Sequence, residues 1–240
     1  MPPAFDILNP SVTMETLDNK VIIYDDACPM CKAYTGGFVR AGWLKERQGF
    51  ANVRPDLLEN IDMDRARHEI PLLDTKTGEV TYGLSALFLI IGEKWPIFKP
   101  LFRSGWFRAL LYPLYQIITY NRRIIAGSGA PKTGFDCAPD VNLFYRWLYI
   151  LLATAGAAWL SIVYWNGGNL AGEIYLFSQI AFLGGILFVP KRLDFIGHWA
   201  TVWLASALVA GILPGPVWLK AGLGIGLAAY MWWNRRDKVW

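Results

Sequence analysis

The sequence predicts a small α/β domain followed by an all-α domain of about four membrane-spanning helices. Three observations predict it. First, a β-branched and aromatic run, Val21-Ile22-Ile23-Tyr24, leads through Asp25-Asp26-Ala27 into Cys28-Pro29-Met30-Cys31. Second, hydrophobic residues make up 54% of the 240 residues and the mean hydropathy is +0.29, high for a soluble globular chain. Third, the charges are unevenly spread. Residues 1–142 hold 16 Lys and Arg against 16 Asp and Glu, and the remainder holds 7 against 3, which completes the chain's 23 and 19. The net charge of +4 therefore belongs to the apolar part. Basic residues set among long apolar runs point to a membrane protein with charged anchors and away from a nucleic-acid partner.

The elements follow in order. Residues 1–20 read as a polar leader: no apolar stretch follows a basic start, so no signal peptide is expected. Residues 21–94 make the first domain. Val21–Tyr24 is a buried strand. Pro29 suits the first turn of a helix, which has no use for the missing N–H. That helix is expected to run to about Gly42, with Gly36-Gly37 as a weak point. A second strand is expected near Phe50–Arg54, and the charged residues 56–69 are partly helical. Pro71–Asp74 and Glu79–Tyr82 flank Thr75-Lys76-Thr77-Gly78 as a hairpin. Gly83–Lys94 is an apolar helix. The order strand, helix, strand, helix, hairpin, helix matches a thioredoxin-like α/β domain.

Residues 95–142 differ. Trp95, Phe98, Phe102, Trp106, Phe107, Tyr112 and Tyr115 alternate with Lys99, Arg103, Arg108, Arg122 and Arg123. Two readings fit: amphipathic helices in a membrane interface, or a helix pair packed on the α/β domain with Pro96, Pro100 and Pro113 at its ends. Gly127, Gly129, Pro131, Gly134 and Pro139 then mark residues 126–142 as a linker.

Residues 143–236 carry four apolar segments: Leu143–Trp165, Glu173–Val189, Phe195–Leu213 and Val217–Trp233. A helical span takes about 20 residues. Small residues in the segments suit close packing in lipid, and Tyr164, Trp165, Trp232 and Trp233 fall at segment ends, where aromatic belts form. Arg122, Arg123 and Lys132 precede the first segment and Arg146 lies near its start, Lys191 and Arg192 follow the second, and Arg235, Arg236 and Lys238 follow the fourth. The alternation places both termini and the first domain in the cytoplasm. Lys220 is the one discordant charge, within reach of the interface by snorkelling. An integral protein of the bacterial inner membrane is the expected localisation.

Three cysteines are too few for a disulfide scaffold, and two lie in a C-x-x-C. In a reducing compartment such a pair reads as catalytic or metal-binding. A dithiol acts when one thiolate attacks a disulfide and the second sulfur resolves the mixed disulfide, which calls for one exposed thiol. At a helix N-terminus, the dipole and unpaired N–H groups favour a thiolate at Cys28. Cys28 is then the nucleophile and Cys31 the resolving thiol. Asp25 and Asp26 oppose this, because a carboxylate beside a thiol disfavours the thiolate and so makes the pair more reducing. One of them, Asp25 by preference, could carry the proton for Cys31. The zinc reading would add Cys137 and His68 as ligands, but no second C-x-x-C is present and no metal is expected. An inert buried pair is the third reading. Pro71 heads the strand that faces the dithiol in thioredoxin-like folds, where a cis proline shapes the groove; an ordinary trans proline is the alternative. Cys137 is either a third redox thiol or a thiol in a linker. His68 reads as a surface residue. His198, after Asp194, is either a functional group within the membrane or an interfacial histidine.

The run Tyr24-Asp25-Asp26-Ala27-Cys28-Pro29-Met30-Cys31 resembles the signature of the DCC family of thiol-disulfide oxidoreductases, named for an Asp and two Cys spaced as Asp25, Cys28 and Cys31 are. Gly83-Leu84-Ser85-Ala86-Leu87 and Tyr120-Asn121-Arg122-Arg123 followed by Cys137 are similar to its downstream pattern. The likeness covers about residues 20–140. It departs at Asp26, where members commonly have Gly. It implies a thioredoxin-like fold and a dithiol activity without a bound cofactor. The apolar segments are extra to the short members.

The expected function is that of a membrane-anchored thiol-disulfide oxidoreductase acting on a protein disulfide or thiol partner, membrane proteins included. The alternative is a transport or assembly protein whose spans do the work, with the C-x-x-C as sensor or metal site. Few polar residues lie inside the spans, which favours an anchor.

Overall fold

The computed structural model describes residues 17–129, 135–165 and 169–239, with the side chains of Trp165, Lys238 and Val239 excepted. Most of the leader, together with Pro131, Lys132 and Gly134 of the expected linker, lies outside these residues. The chain forms two compact units. One holds the residues up to Asp25 with Cys31–Leu111; the other holds Asp26–Met30 with Tyr112 onward.

The first unit is built on a four-stranded mixed sheet of order β2-β1-β3-β4, with β1 Lys20–Tyr24, β2 Glu46–Gly49, β3 Pro71–Asp74 and β4 Val80–Tyr82. β1 runs parallel to β2, with Ile22 opposite Arg47, and antiparallel to β3, with Ile22 opposite Leu72. Being central, β1 is buried on both faces, which is why it reads as an unbroken apolar run. The helices are α1 Pro29–Arg40, α2 Pro55–Leu58, α3 Met63–His68, α4 Gly83–Lys94 and α5 Lys99–Arg103. Tyr34 and Phe38 of α1 and Ala86 and Ile90 of α4 pack with Ile22 and Leu72, so both helices cover one face of the sheet.

The second strand lies at Glu46–Gly49 and not at Phe50–Arg54; Phe50–Asn52 is a 3-10 turn. Parallel pairing with the buried β1 outweighs the low strand propensity of Glu-Arg-Gln-Gly. Helix α1 passes through Gly36-Gly37 and ends at Arg40, two residues before the expected Gly42. Gly42 takes φ +67 just past the end, and Trp43 N donates to Phe38 O at 2.8 Å, which stops the helix as a C-terminal glycine does.

The β3–β4 turn is organised by Asp74. Its Oδ1 accepts from Lys76 N and Thr77 N at 2.9 and 3.2 Å, and its Oδ2 lies 3.2 Å from the buried Lys20 Nζ. Burial raises the Asp74 carboxyl, but these hydrogen bonds and the Lys20 charge outweigh it and hold the group below its ordinary value. A depressed carboxylate contributes stability above its unfolded pKa of about 3.9 and loses it as pH falls through the folded value. The first unit should therefore lose stability on acidification below about pH 4. Asp74→Asn should remove that part of the acid sensitivity, as read from thermal melts of the two proteins at pH 3 to 7.

Residues 95–111 divide between the two readings. Phe102 and Phe107 stack on Phe88 of α4, with ring centres 4.5 and 6.0 Å away, so part of the stretch does pack on the α/β unit. Trp95, Ile97, Phe98, Trp106 and Leu110 point outward, Ile97 at 83% exposure. Pro113 does not end a helix. It lies inside α6 Gly105–Ala126, tolerated at the loss of one backbone hydrogen bond.

The second unit is mostly helical: the rest of α6, then α7 Leu143–Trp165, α8 Leu170–Gly184, α9 Arg192–Ile212 and α10 Val217–Val239. Among the described residues, three helical stretches are long and apolar enough to cross a membrane: Leu143–Tyr164, Leu170–Phe188 and Arg192–Ile212. The fourth expected segment, Val217–Trp233, is not among them. α10 is as long, but Lys220, the glycines and the polar end from Asn234 dilute its hydropathy. It is nonetheless packed into the bundle, where Tyr175 of α8, Ala210 of α9 and Ala221 of α10 share one core. Small residues permit these approaches: a Cβ on Gly224 would stand 2.9 Å from the Tyr175 ring.

Buried polar side chains join the helices in pairs. Tyr149 Oη and Thr201 Oγ1 are 2.6 Å apart, Tyr175 Oη and Ser206 Oγ 2.8 Å, and Trp199 Nε1 donates to Gln179 O at 2.9 Å. Such pairs satisfy groups that lipid cannot.

Candidate thiol site

The candidate site begins where β1 ends. Asp25 follows the strand, Asp26 and Ala27 form a turn, Cys28 stands directly before α1, and Cys31 lies in its first turn. Pro29 occupies the first helical position and is exposed. The buried central strand fixes the start of this segment. The proline's preset φ then starts a helix at once, with its N-terminal dipole beside Cys28.

Both thiols are buried, Cys28 at 0% and Cys31 at 4% exposure. This corrects the expectation that one of them is exposed. The turn Asp26–Met30 belongs to the same compact unit as the helices from Tyr112 onward. Asp25 is also buried at 5%, while Asp26 is half-buried.

One residue that sequence reasoning missed supports α1. Arg47 of β2 donates from Nη1 to Lys32 O at 2.7 Å and to Thr35 Oγ1 at 3.0 Å, and its guanidinium lies 4.9 Å from the Tyr24 ring centre. Thr35, fully buried, donates to Cys31 O at 2.7 Å. The first turns of α1 thus carry a cation, held through Thr35 against the carbonyl of Cys31. A Cβ on Gly36 would stand 2.9 Å from Arg47 Nη1. Gly36, read as a weak point, is the space that admits Arg47, and a glycine inside an otherwise good helix was the available signal.

Cys137 is 1% exposed. The described residues 135–142 form neither helix nor strand, but they are tied down. Arg122 donates to Cys137 O, and Arg123 pairs with Asp136, whose Oδ1 also accepts from Ala138 N at 2.9 Å. Asn121, fully buried, donates to Ile117 O at 2.8 Å and to Tyr145 O at 3.0 Å, and the Tyr120 ring stacks on Tyr145 at 5.2 Å. Each residue of Tyr120-Asn121-Arg122-Arg123 therefore has a holding role, and two of them hold the Cys137 segment. Cys28 and Cys137 belong to the same unit.

Pro71 heads β3, is almost fully buried, and pairs with Tyr82. Among the described residues no peptide bond is cis, so the cis alternative for Ile70–Pro71 does not hold. Gly83 N donates to Ile70 O at 2.9 Å and fixes the extended entry to the strand. Ser85 of the Gly83–Leu87 motif accepts from Arg108 Nη2 at 2.9 Å. His68 is half-buried at the end of α3, and His198 is buried at 4%, with Nδ1 3.3 Å from Arg235 Nη1. Among the described residues no three His, Cys, Asp or Glu side chains gather as a metal site would require.

The fold and site define a membrane protein with an N-terminal α/β unit and a C-x-x-C at its first strand-to-helix turn. No protein-family model, curated protein or solved structure matches the chain.

Proposed function

We propose that the chain is a membrane-embedded thiol-disulfide oxidoreductase with a thioredoxin-like domain, acting through Cys28 and Cys31 on a disulfide of a protein partner. One observation carries the reading: the C-x-x-C opens α1 directly after the central strand of a sheet of order β2-β1-β3-β4, with β1 and β2 parallel and β3 and β4 antiparallel. The resemblance of Asp25, Cys28 and Cys31 to the DCC signature supports the same reading.

In the forward direction the Cys28 thiolate attacks one partner sulfur and expels the other as a thiolate. The Cys31 thiolate then attacks Cys28 Sγ and releases the partner's second sulfur. The partner gains two electrons and two protons, and Cys28–Cys31 becomes a disulfide that a cellular dithiol must reduce. Because Cys28 is buried, exchange requires the turn Asp26–Met30 to open first.

All four long C-terminal helices anchor the site, with α10 as a fourth span. That places Lys191, Arg192, Arg235 and Arg236 together on the cytoplasmic side. The mutual pairing of Tyr149 with Thr201 and Tyr175 with Ser206 favours an anchor over a transport path, since these groups are used up in holding helices together.

Thiol trapping across a glutathione series tests the proposal. A reversible two-thiol transition is expected, absent from both Cys28→Ser and Cys31→Ser and retained in Cys137→Ser. A full-length chain with no transition would refute it and return the function to the helices.

A further inference from the structure

We infer that the helical unit carries a binding site for one anionic phospholipid, in a groove between α8, α9 and α10. The groove encloses about 380 Å³ and is lined by Ala181, Phe182, Gly185, Phe195, Trp232 and Arg236, among others. Its walls are aromatic: the Trp232 ring stacks on Phe195 at 4.9 Å and on Phe182 at 6.2 Å. Its floor is opened by small residues, Ala181 on α8, Gly185 just past the end of α8, and Ala229 on α10.

The mouth is basic. Arg236 lies with its guanidinium carbon 3.8 Å from the Trp233 ring centre, and the side chain is half exposed. Its Nε lies 3.3 Å from the carboxylate of the neighbouring Asp237. The same end of the bundle carries the exposed Lys191 and Arg192, because α9 starts where α10 finishes, as the Phe195–Trp232 stack requires. An apolar slot with a cationic rim at a helix end matches one molecule: an acyl chain in the slot and a headgroup phosphate on the guanidinium. A neutral membrane-soluble ligand would leave the rim unused, and a free anion would leave the slot empty. This inference does not rest on the thiols.

Native mass spectrometry of the full chain in non-ionic detergent, titrated with phosphatidylglycerol and with phosphatidylcholine, tests it. The first bound lipid should favour phosphatidylglycerol about fivefold, the effect of one basic residue near a lipid surface. Arg236→Gln should bring the two lipids to parity, and its exposed side chain makes the fold indifferent to the change. Ala229→Leu should weaken both lipids by filling the slot, with circular dichroism confirming that the helices remain. Equal binding by the native chain, an unchanged preference in Arg236→Gln, or displacement of phosphatidylglycerol by an equal amount of a neutral isoprenoid quinone would each overturn the inference.

Discussion

Cys28→Ser should reduce disulfide exchange by the purified chain to the background of its reducing buffer. The loss is complete because the serine hydroxyl has no accessible anion at neutral pH with which to attack sulfur. Cys31→Ser should behave differently: it keeps the attacking thiol and loses the resolving one, so it should accumulate a mixed disulfide with the partner or with glutathione, seen on a non-reducing gel. The burial of Cys28 adds a kinetic signature. In the folded chain its alkylation by a maleimide should be slow and should accelerate sharply in denaturant, since reaction requires the turn Asp26–Met30 to open. Fast alkylation of the folded protein would contradict the buried geometry. Unimpaired exchange by Cys28→Ser would contradict the dithiol mechanism itself.

How far the sequence could be read depended on whether the signal was local. β1 was legible because a central strand has no polar face to break its apolar run. α4 was legible to the residue, Gly83 to Lys94, because Tyr82-Gly83 marks its start and an unbroken apolar stretch its body. β2 was not, because Glu46–Gly49 is a strand only through its pairing with β1. The position of the thiols on a helix start followed from Cys28-Pro29 alone. Their burial did not, because exposure is set by tertiary packing and leaves no mark in the local sequence. Arg47 was invisible for the same reason: a strand arginine matters here through a glycine on a neighbouring helix. In the membrane part, segment lengths gave the helices, whereas the difference between α10 and the other three rests on Lys220 and its small and polar residues. His198, which sequence left open, belongs with Arg235, and that pairing spans 37 positions.

Arg235→Ala should destabilise the helical unit by about 3 kcal/mol, the order expected when a buried charged donor is removed from its acceptors. Arg235 is 5% exposed and reaches across to the end of α6, donating from Nη1 to Ile124 O at 2.9 Å and from Nη2 to Ile125 O at 3.0 Å. Those carbonyls lie in the last turn of a helix, where no backbone N–H is left to serve them, and the cation also matches the negative end of the helix dipole. Arg235→Lys keeps the charge but not the fork, so it should recover less than half of the loss. The seat exists only because residue 127 is glycine: Gly127 takes φ +65, and a Cβ there would stand 2.8 Å from the Arg235 guanidinium carbon. Gly127→Ala should therefore expel the arginine and reproduce most of the Arg235→Ala effect. In the Arg235→Ala background the same change should add only the strain of a left-handed alanine, about 1 kcal/mol. Thermal melts of the full chain in detergent, with hydrogen exchange at residues 122–129, give both quantities. If the two substitutions were simply additive, or exchange at the end of α6 did not quicken, Arg235 would not be what holds that helix end in place.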